Sequence, residues 1–412
     1  MKVRKLKILE VAPQLPIPPI DGGKISIYGQ LKSLASRGHE IDFVCYKNYK
    51  TSNEEIIELL KYSYPTLINL NTKNNLVKAF INLFSSKPYN VSKYISKKLL
   101  KAIEINLIDK DFDIIIIDHI HMAWVVDFIR QLTHSPIVLR EHNFESDIIY
   151  RYFKTCNNFI LKGYLFNQYK RIINYETSLA QKFDKVIMIS KADEEKIKSF
   201  NPHIDTITIP CGVDEDLLKH KAYNNYKLKY SLFHIGDLGW YPNLDGLKWF
   251  IHKVFPLVLK KIPDVKLFIY GKNCNRLKIS NNLKKNIVIK GFVENLIDEI
   301  KDKEIGIIPL RIGSGIRIKI LELMAQGHCL VSTSIGCEGI DVNDGKNIIV
   351  ADSENYFAEK IFYLFRNDDA IRSIGLNASN FIKENFLWKD IVKKFESLFF
   401  NLIEDKSKTF KD

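Results

Sequence analysis

The sequence predicts an α/β protein built from two doubly wound parallel sheets, each forming its own domain. Three observations lead there. Short runs of continuously apolar, β-branched residues alternate with longer amphipathic runs, which is the pattern of parallel strands covered on both faces. The alternation stops in a polar stretch at 211–230 and then restarts. The chain has 412 residues, more than one ordinary hydrophobic core accommodates.

Taken in order, the strand-like runs of the first half are KILEVA (7–12), IDFVCY (41–46), DIIIID (113–118), PIVLRE (136–141), KVIMIS (185–190) and TITIP (206–210). Those of the second half are SLFHIG (231–236), VKLFIYG (265–271), NIVIKG (286–291), EIGIIP (304–309), HCLVST (328–333) and NIIVAD (347–352). Helical periodicity separates most of them. The halves share this pattern but no sequence repeat. The expected division is 1–212 and 213–385, each Rossmann-like, followed by a strongly amphipathic helix at 386–404 and a tail to 412. The final DKSKTFKD is expected to fray.

Composition narrows the function. With 46% apolar and 26% charged residues the chain reads as soluble and globular. No apolar run is long enough to span a bilayer, and the N-terminus lacks the features of a signal peptide. Six cysteines stand singly without a CxxC pair, which fits a reducing, cytoplasmic setting better than a disulfide framework. The net charge of +13 is read as lysine enrichment on solvated helix faces, since no nucleic-acid-binding signature accompanies it.

In doubly wound sheets, ligands sit beyond the carboxyl ends of the strands, so the loops there are the places to search. Gly22 and Gly23 close a proline-rich loop before a helix, where backbone N–H groups can approach an anion. They match neither GxGxxG nor the P-loop pattern, which disfavours dehydrogenase and ATPase readings. The stretch IPLRIGSGIRIKILELMAQG (308–327) is more specific. Gly313, Ser314 and Gly315 form a flexible turn, and Arg311, Arg317 and Lys319 surround it at the start of a helix, an arrangement suited to a diphosphate. Arg317 and Lys319 lie two apart, so within a regular helix only one of them faces the site. Glu322 suits sugar hydroxyls as a bidentate acceptor or a nearby cation as a partner, and spacing leaves both readings open. His119 and His121, with Asp118 and the EHN of 141–143, raise a metal site, but no third ligand has a recognised spacing, and the hydrogen-bonding reading is preferred.

Further segments share this order: SSKPYNVSKYISKKL, PIVLREHNFES, FDKVIMISKADEEKI, IPCGVD, HIGDLGWYPNLDGLKWF, VIKGFVENL and VSTSIGCEGI. Together with PIDGG and the 308–327 stretch they resemble the family-4 glycosyltransferases, the retaining two-Rossmann (GT-B) sugar transferases. The likeness is greatest to the bacterial branch that builds surface polysaccharides. It implies two domains facing a central cleft, the helix at 386–404 crossing back to the N-terminal domain, with a nucleotide-sugar donor held by the C-terminal half and a glycan or lipid-linked acceptor by the N-terminal half. By position it implies that Glu322 grips the ribose, that Gly22 and Gly23 approach the donor diphosphate, and that Gly236 and Asp237 line the donor loop. Phe292 and Val293 then meet the base, His121 stands near the transferred sugar, and Arg317 and Lys319 neutralise the leaving diphosphate. His142 and Asn143 fall on the acceptor side. Neither a cofactor nor a metal is implied.

Two departures stand out. The family's pair of glutamates eight apart is here Ser314 and Glu322, and the loop GDLGWYPN lacks the Arg and Lys common there. The expectation is that phosphate-binding charge has moved to Arg311, Arg317 and Lys319. The missing glutamate keeps two alternatives in view: a non-catalytic sugar-binding subunit of the same fold, and a nucleotide-sugar epimerase. Finally, 91–107 places Val91, Ile95, Leu99, Ile103 and Leu107 on one helical face with Lys93, Lys97 and Lys101 away from it. That reads as an ordinary domain helix or, more sharply, as peripheral contact with anionic lipid at the inner membrane face.

Overall fold

The computed structural model describes residues 4–224 and 228–409. The chain divides into two compact units. One comprises Met1–Gly212, Ser314–Ile316 and Trp388–Asp412, the other Val213–Gly313 and Arg317–Leu387.

The first unit is a seven-stranded parallel sheet: β1 (Lys7–Ala12), β2 (Glu40–Lys47), β3 (Tyr64–Asn69), β4 (Ile114–Asp118), β5 (Ile137–Glu141), β6 (Lys185–Met188) and β7 (Thr206–Thr208). Its spatial order is β3-β2-β1-β4-β5-β6-β7. The four consecutive isoleucines of β4 are all buried because both faces of the sheet are covered. Ile115 and Ile117 join one core, Ile114 and Ile116 the other. Strand β3 has no counterpart among the sequence-read strands. It is an edge strand with only Ile68 buried, and Pro65 is tolerated there because an edge position leaves its missing N–H unneeded.

The helix Trp388–Thr409 belongs to this unit. Ile391, Val392, Phe395 and Phe399 complete the core under β1 and the helix Gly22–Ser36. Trp388 lies so close to Gly29 that a Cβ there would stand 2.3 Å from its indole nitrogen. The helix continues through Asp405–Thr409, where fraying was expected, while residues 410–412 lie outside the described chain.

The second unit is a six-stranded parallel sheet: β8 (Leu228–Ile235), β9 (Lys266–Tyr270), β10 (Ile287–Gly291), β11 (Lys303–Ile308), β12 (Cys329–Ser332) and β13 (Ile349–Val350). Its order is β10-β9-β8-β11-β12-β13. The polar stretch before β8 folds into short 3-10 turns at Glu215–Lys219 and Ala222–Asn224, and residues 225–227 lie outside the described chain.

Both sheets reverse winding direction beside their first strand, between β1 and β4 and between β8 and β11. That is where a doubly wound sheet opens a crevice for ligand. The 91–107 stretch is not one helix. A short helix at Tyr89–Ser92 stops, and a new one starts at Lys97 and runs to Asp109, so the spacing of four crosses a break. Leu99 and Ile103 are buried while Ile95 is exposed, and Lys93 is half-buried against Asn74.

Candidate functional site

In the first unit, the strands beside the reversal end in polar residues that hold one another in place. Strand β4 ends at Asp118 and β5 at Arg140 and Glu141. Arg140 is fully buried. One guanidinium nitrogen donates to Ser26 Oγ at 2.6 Å, the other lies 3.4 Å from Asp118 Oδ1, and the plane covers the Phe395 ring. The same Asp118 oxygen meets His142 Nε2 at 2.8 Å. Burial opposes the charge on Asp118, but the His142 bond and Arg140 outweigh it and hold this acid well below the usual carboxylate range. Glu10 on β1 faces the same group and moves the opposite way, raised by burial and by the Asp118 charge. The two neighbouring buried carboxylates are thus pushed in opposite directions.

Immediately after β4 the backbone takes a positive φ of 65° at His119, a conformation that costs energy for a residue with a Cβ. This turn stacks the His119 ring on His142, with centroids 3.8 Å apart. The His119 Nε2 atom is buried and has no hydrogen-bond partner among the described residues. It points toward Gly23, whose added Cβ would lie 3.6 Å away. Gly22 and Gly23 open the helix Gly22–Ser36, capped by Asp21, which accepts from the Lys24 amide. His121 is one ring further out. Its centroid is 5.9 Å from His119 and 5.4 Å from Tyr94, and its Nε2 lies 3.9 Å from Glu145.

Burial lowers the pKa of all three histidines. For His121 it does so to about 3, with the Lys93 charge assisting. At neutral pH these imidazoles are uncharged hydrogen-bonding groups. His142 is buried behind His119, and Asn143 donates to Glu145. Among the described residues no three His, Cys, Asp or Glu side chains converge as a metal site.

The residues Ser314–Ile316 count with this unit, which explains the serine. Ser314 is fully buried, donates to Asp193 Oδ1 at 2.6 Å and accepts from the Phe144 amide at 3.1 Å. A glutamate here would set a second carboxylate against Asp193. Gly315 has φ +74°, and an added Cβ would lie 2.4 Å from the His142 carbonyl oxygen. Both residues serve close packing.

In the second unit the remaining sequence-selected residues, apart from Phe292 and Val293, lie at or just after the ends of β8 and β11. The helix Ile318–Ala325 begins one residue after Arg317, which is the N-cap with extended geometry. Helical spacing therefore does not separate Arg317 from Lys319. The Arg317 guanidinium folds back over Gly313 so closely that a Cβ on that residue would lie 1.8 Å from its terminal nitrogen. Lys319 is near His234 of β8, and burial together with that charge lowers the His234 pKa to about 4. Glu322, one turn along the helix, has its carboxyl raised to about 7 by burial, with Lys319 opposing and Asp214 adding to the rise.

Arg311 is committed differently. Its guanidinium makes a bidentate pair with Asp245 at 3.0 and 2.8 Å. Asp237, expected to line the donor, braces its own loop by accepting from the Gly239 amide and the Asn273 side chain, both at 2.7 Å. Gly236 sits against Asn243 and His234. The loop that lacks a cation in sequence receives one from β9's side: Arg276 donates to the carbonyls of Leu238 and Gly239. Phe292 and Val293 follow edge strand β10, where Phe292 is exposed with the Lys272 ammonium over its ring.

Sequence reading weighed His119 only as a metal ligand or a strand-end hydrogen-bonding residue, and passed over Arg276 and Asn273. Only His119 left a signal: a histidine directly after the strand that flanks the winding reversal.

Comparison with known proteins bears on both units. Residues 20–217 match the family model described as Glycosyltransferase Family 4, and residues 229–367 match Glycosyl transferases group 1. A 44.6 kDa protein of the cps region of Klebsiella pneumoniae is 30% identical over 411 residues, covering 95% of this chain and 99% of that one. Sucrose-phosphate synthase from Thermosynechococcus elongatus superposes with a TM-score of 0.72 at 14% identity, over 98% of this chain and 100% of that one. The Anabaena protein HepE in complex with UDP gives a TM-score of 0.68 at 13% identity, over 96% and 100%. With both sheets, both family models and a full-length relative in agreement, the chain belongs to the family-4 glycosyltransferases of GT-B fold.

Proposed function

We propose that this transferase moves a sugar from a nucleotide-sugar donor to a glycan or lipid-linked acceptor, with retention at the anomeric carbon, in the assembly of a cell-surface polysaccharide. The observation that carries the reading is the start of the helix Ile318–Ala325. It gathers Arg317, Lys319 and Glu322 beside the winding reversal of the second unit. The Klebsiella pneumoniae relative lies in a cps region, and the similar HepE structure holds UDP, which supports the donor class and the pathway by analogy.

Breaking an anomeric C–O bond leaves positive character on the sugar and negative charge on the departing diphosphate. Fixed cations lower that barrier without a protein nucleophile. Arg317 and Lys319 are assigned to the diphosphate, Gly22 and Gly23 to its approach, and Phe292 with Val293 to the base. Glu322 in its ionised form accepts from the two ribose hydroxyls. Arg311 is assigned a positioning part through Asp245, and Gly236 and Asp237 shape the donor loop. On the acceptor side, the neutral imidazoles of His119 and His121 are assigned to hydroxyls near the transferred sugar, backed by His142 and Asn143. No metal or cofactor is required by this scheme. Among the described residues no helix is long and apolar enough to cross a membrane. We place the reaction in the cytoplasm, with peripheral contact at the inner membrane face.

The test is incubation with a panel of nucleotide sugars, reading nucleoside diphosphate release. Arg317→Ala and Lys319→Ala are each expected to lower turnover by about 10²-fold or more with an unchanged circular dichroism spectrum. Normal turnover in both variants would refute the assignment. Donor binding without turnover would favour a non-catalytic subunit, and an epimerised nucleotide sugar would favour an isomerase.

A further inference from the structure

The helix Leu76–Ile81 and the turn Asn82–Phe84 read LVKAFINLF, and the helix buries none of its residues. Leu76 is 91% and Phe84 85% exposed, and Val77, Phe80 and Ile81 are exposed as well. So short a helix gains nothing from apolar packing, yet it is fastened firmly from beneath. The two terminal nitrogens of Arg171 donate to the carbonyls of Asn82 and Leu83, each at 2.7 Å. Gln168 donates to the Asn82 side chain, and the Tyr89 hydroxyl bonds both backbone groups of Asn75. Gln168 and Arg171 lie on the helix Phe159–Ala180. Four and eight residues before Gln168, on the same face, stand Tyr164 and Ile160. Ile160 is 70% exposed and its neighbour Phe159 82%. The apolar surface therefore continues from one segment toward the other.

Charge is distributed in the same places. Residues 59–103 contain eight lysines and no acid, and residues 148–175 contain three lysines, two arginines and no acid. Together these segments hold thirteen cations and no acid. Residues 265–293 form a third acid-free stretch, with seven cations, so charge alone does not single out this face; its coincidence with exposed apolar side chains does. At the margins Lys61, Lys101 and Arg151 pair with Glu58, Glu104 and Asp147. Among the described residues no carboxylate pairs with Lys73, Lys78 or Lys87 around the exposed helix. The same holds for Lys154, Lys162 and Lys170, which lie over the rings of Tyr150, Phe153 and Phe166.

We propose that this surface seats the transferase on an anionic lipid bilayer, with Leu76, Phe80 and Phe84 in the interfacial layer and the lysines over the headgroups. A bilayer offers apolar depth and dense negative charge together, which is the complement of what this face presents. The contact deepens the proposed lipid-linked acceptor reading and rests on it for its purpose. It moves the expected membrane contact from 91–107 to 76–84 and 159–170.

The experiment is co-sedimentation of the full chain with vesicles of phosphatidylglycerol and phosphatidylcholine, and with phosphatidylcholine alone. Donor hydrolysis is measured alongside. The wild type is expected to sediment with the anionic vesicles only, and less so as salt rises. A Leu76→Ser, Phe80→Ser, Phe84→Ser variant and a Lys73→Gln, Lys78→Gln, Lys87→Gln variant should each bind about tenfold more weakly or worse, with unchanged hydrolysis. Undiminished sedimentation of the serine variant, or a wild type that ignores anionic vesicles, would overturn the proposal. So would a concentration-dependent dimer in light scattering that the serine variant abolishes, because that result assigns the face to a second copy. Vesicle binding that persists in a chain inert toward every donor would count against the transfer reading and leave this one standing.

Discussion

Glu322 shows how one residue's surroundings set its usefulness. Its carboxyl is raised to about 7 by burial, so near neutral pH the ionised and protonated forms are both populated. In the proposed role, only the ionised form would accept from both ribose hydroxyls. A raised pKa places the loss on the acid side, so nucleoside diphosphate affinity should fall as pH drops through about 7, approaching about tenfold per pH unit below it. Isothermal titration with UDP across this range checks the slope. In Glu322→Gln affinity should be lower, and the part of the pH dependence due to this carboxyl should disappear. Ser314 gives the opposite lesson. The sequence marks it as a missing acid, whereas its buried bonds to Asp193 and Phe144 show it occupied in packing.

At the level of elements, the tightest fit is between the helix Gly22–Ser36 and the final helix. An added methyl at Gly29 meets the Trp388 indole at 2.3 Å, and one at Gly212 would meet the same residue at 2.7 Å. Gly29→Ala therefore forces Trp388 to move inside a packed core, a destabilisation of about 1–3 kcal/mol. A thermal or denaturant melt reads the change, and an unshifted midpoint would contradict the packing described. The alternation of strands and helices was legible element by element because buried parallel strands are continuously apolar. Edge strand β3 and the break between Ser92 and Lys97 were not, since half-exposed segments leave weak periodicity and a spacing of four survives an interruption by chance.

At the level of the molecule, the last helix belongs to a core assembled almost 400 residues earlier in the chain. Ile391, Val392, Phe395, Leu398 and Phe399 all pack into the first unit. At about 1.5–3 kcal/mol for each buried side chain, their removal would cancel the usual 5–15 kcal/mol of net stability. A chain ending at 387 is expected to aggregate or bind a hydrophobic dye strongly. A truncated protein with native circular dichroism would show that this helix is dispensable.

The sequence by itself determined the two-sheet α/β class, the family resemblance, and the candidate stretch from Arg311 to Glu322. Each of these is written in local order: apolar periodicity, glycine placement and motif succession. Tertiary structure decided what those residues do. It put His119 toward Gly23, and it committed Arg311 to Asp245 and Ser314 to Asp193. It also brought two acid-free segments, separated by residues 104–147, into contact. Such outcomes depend on partners distant in sequence, and no local pattern records them.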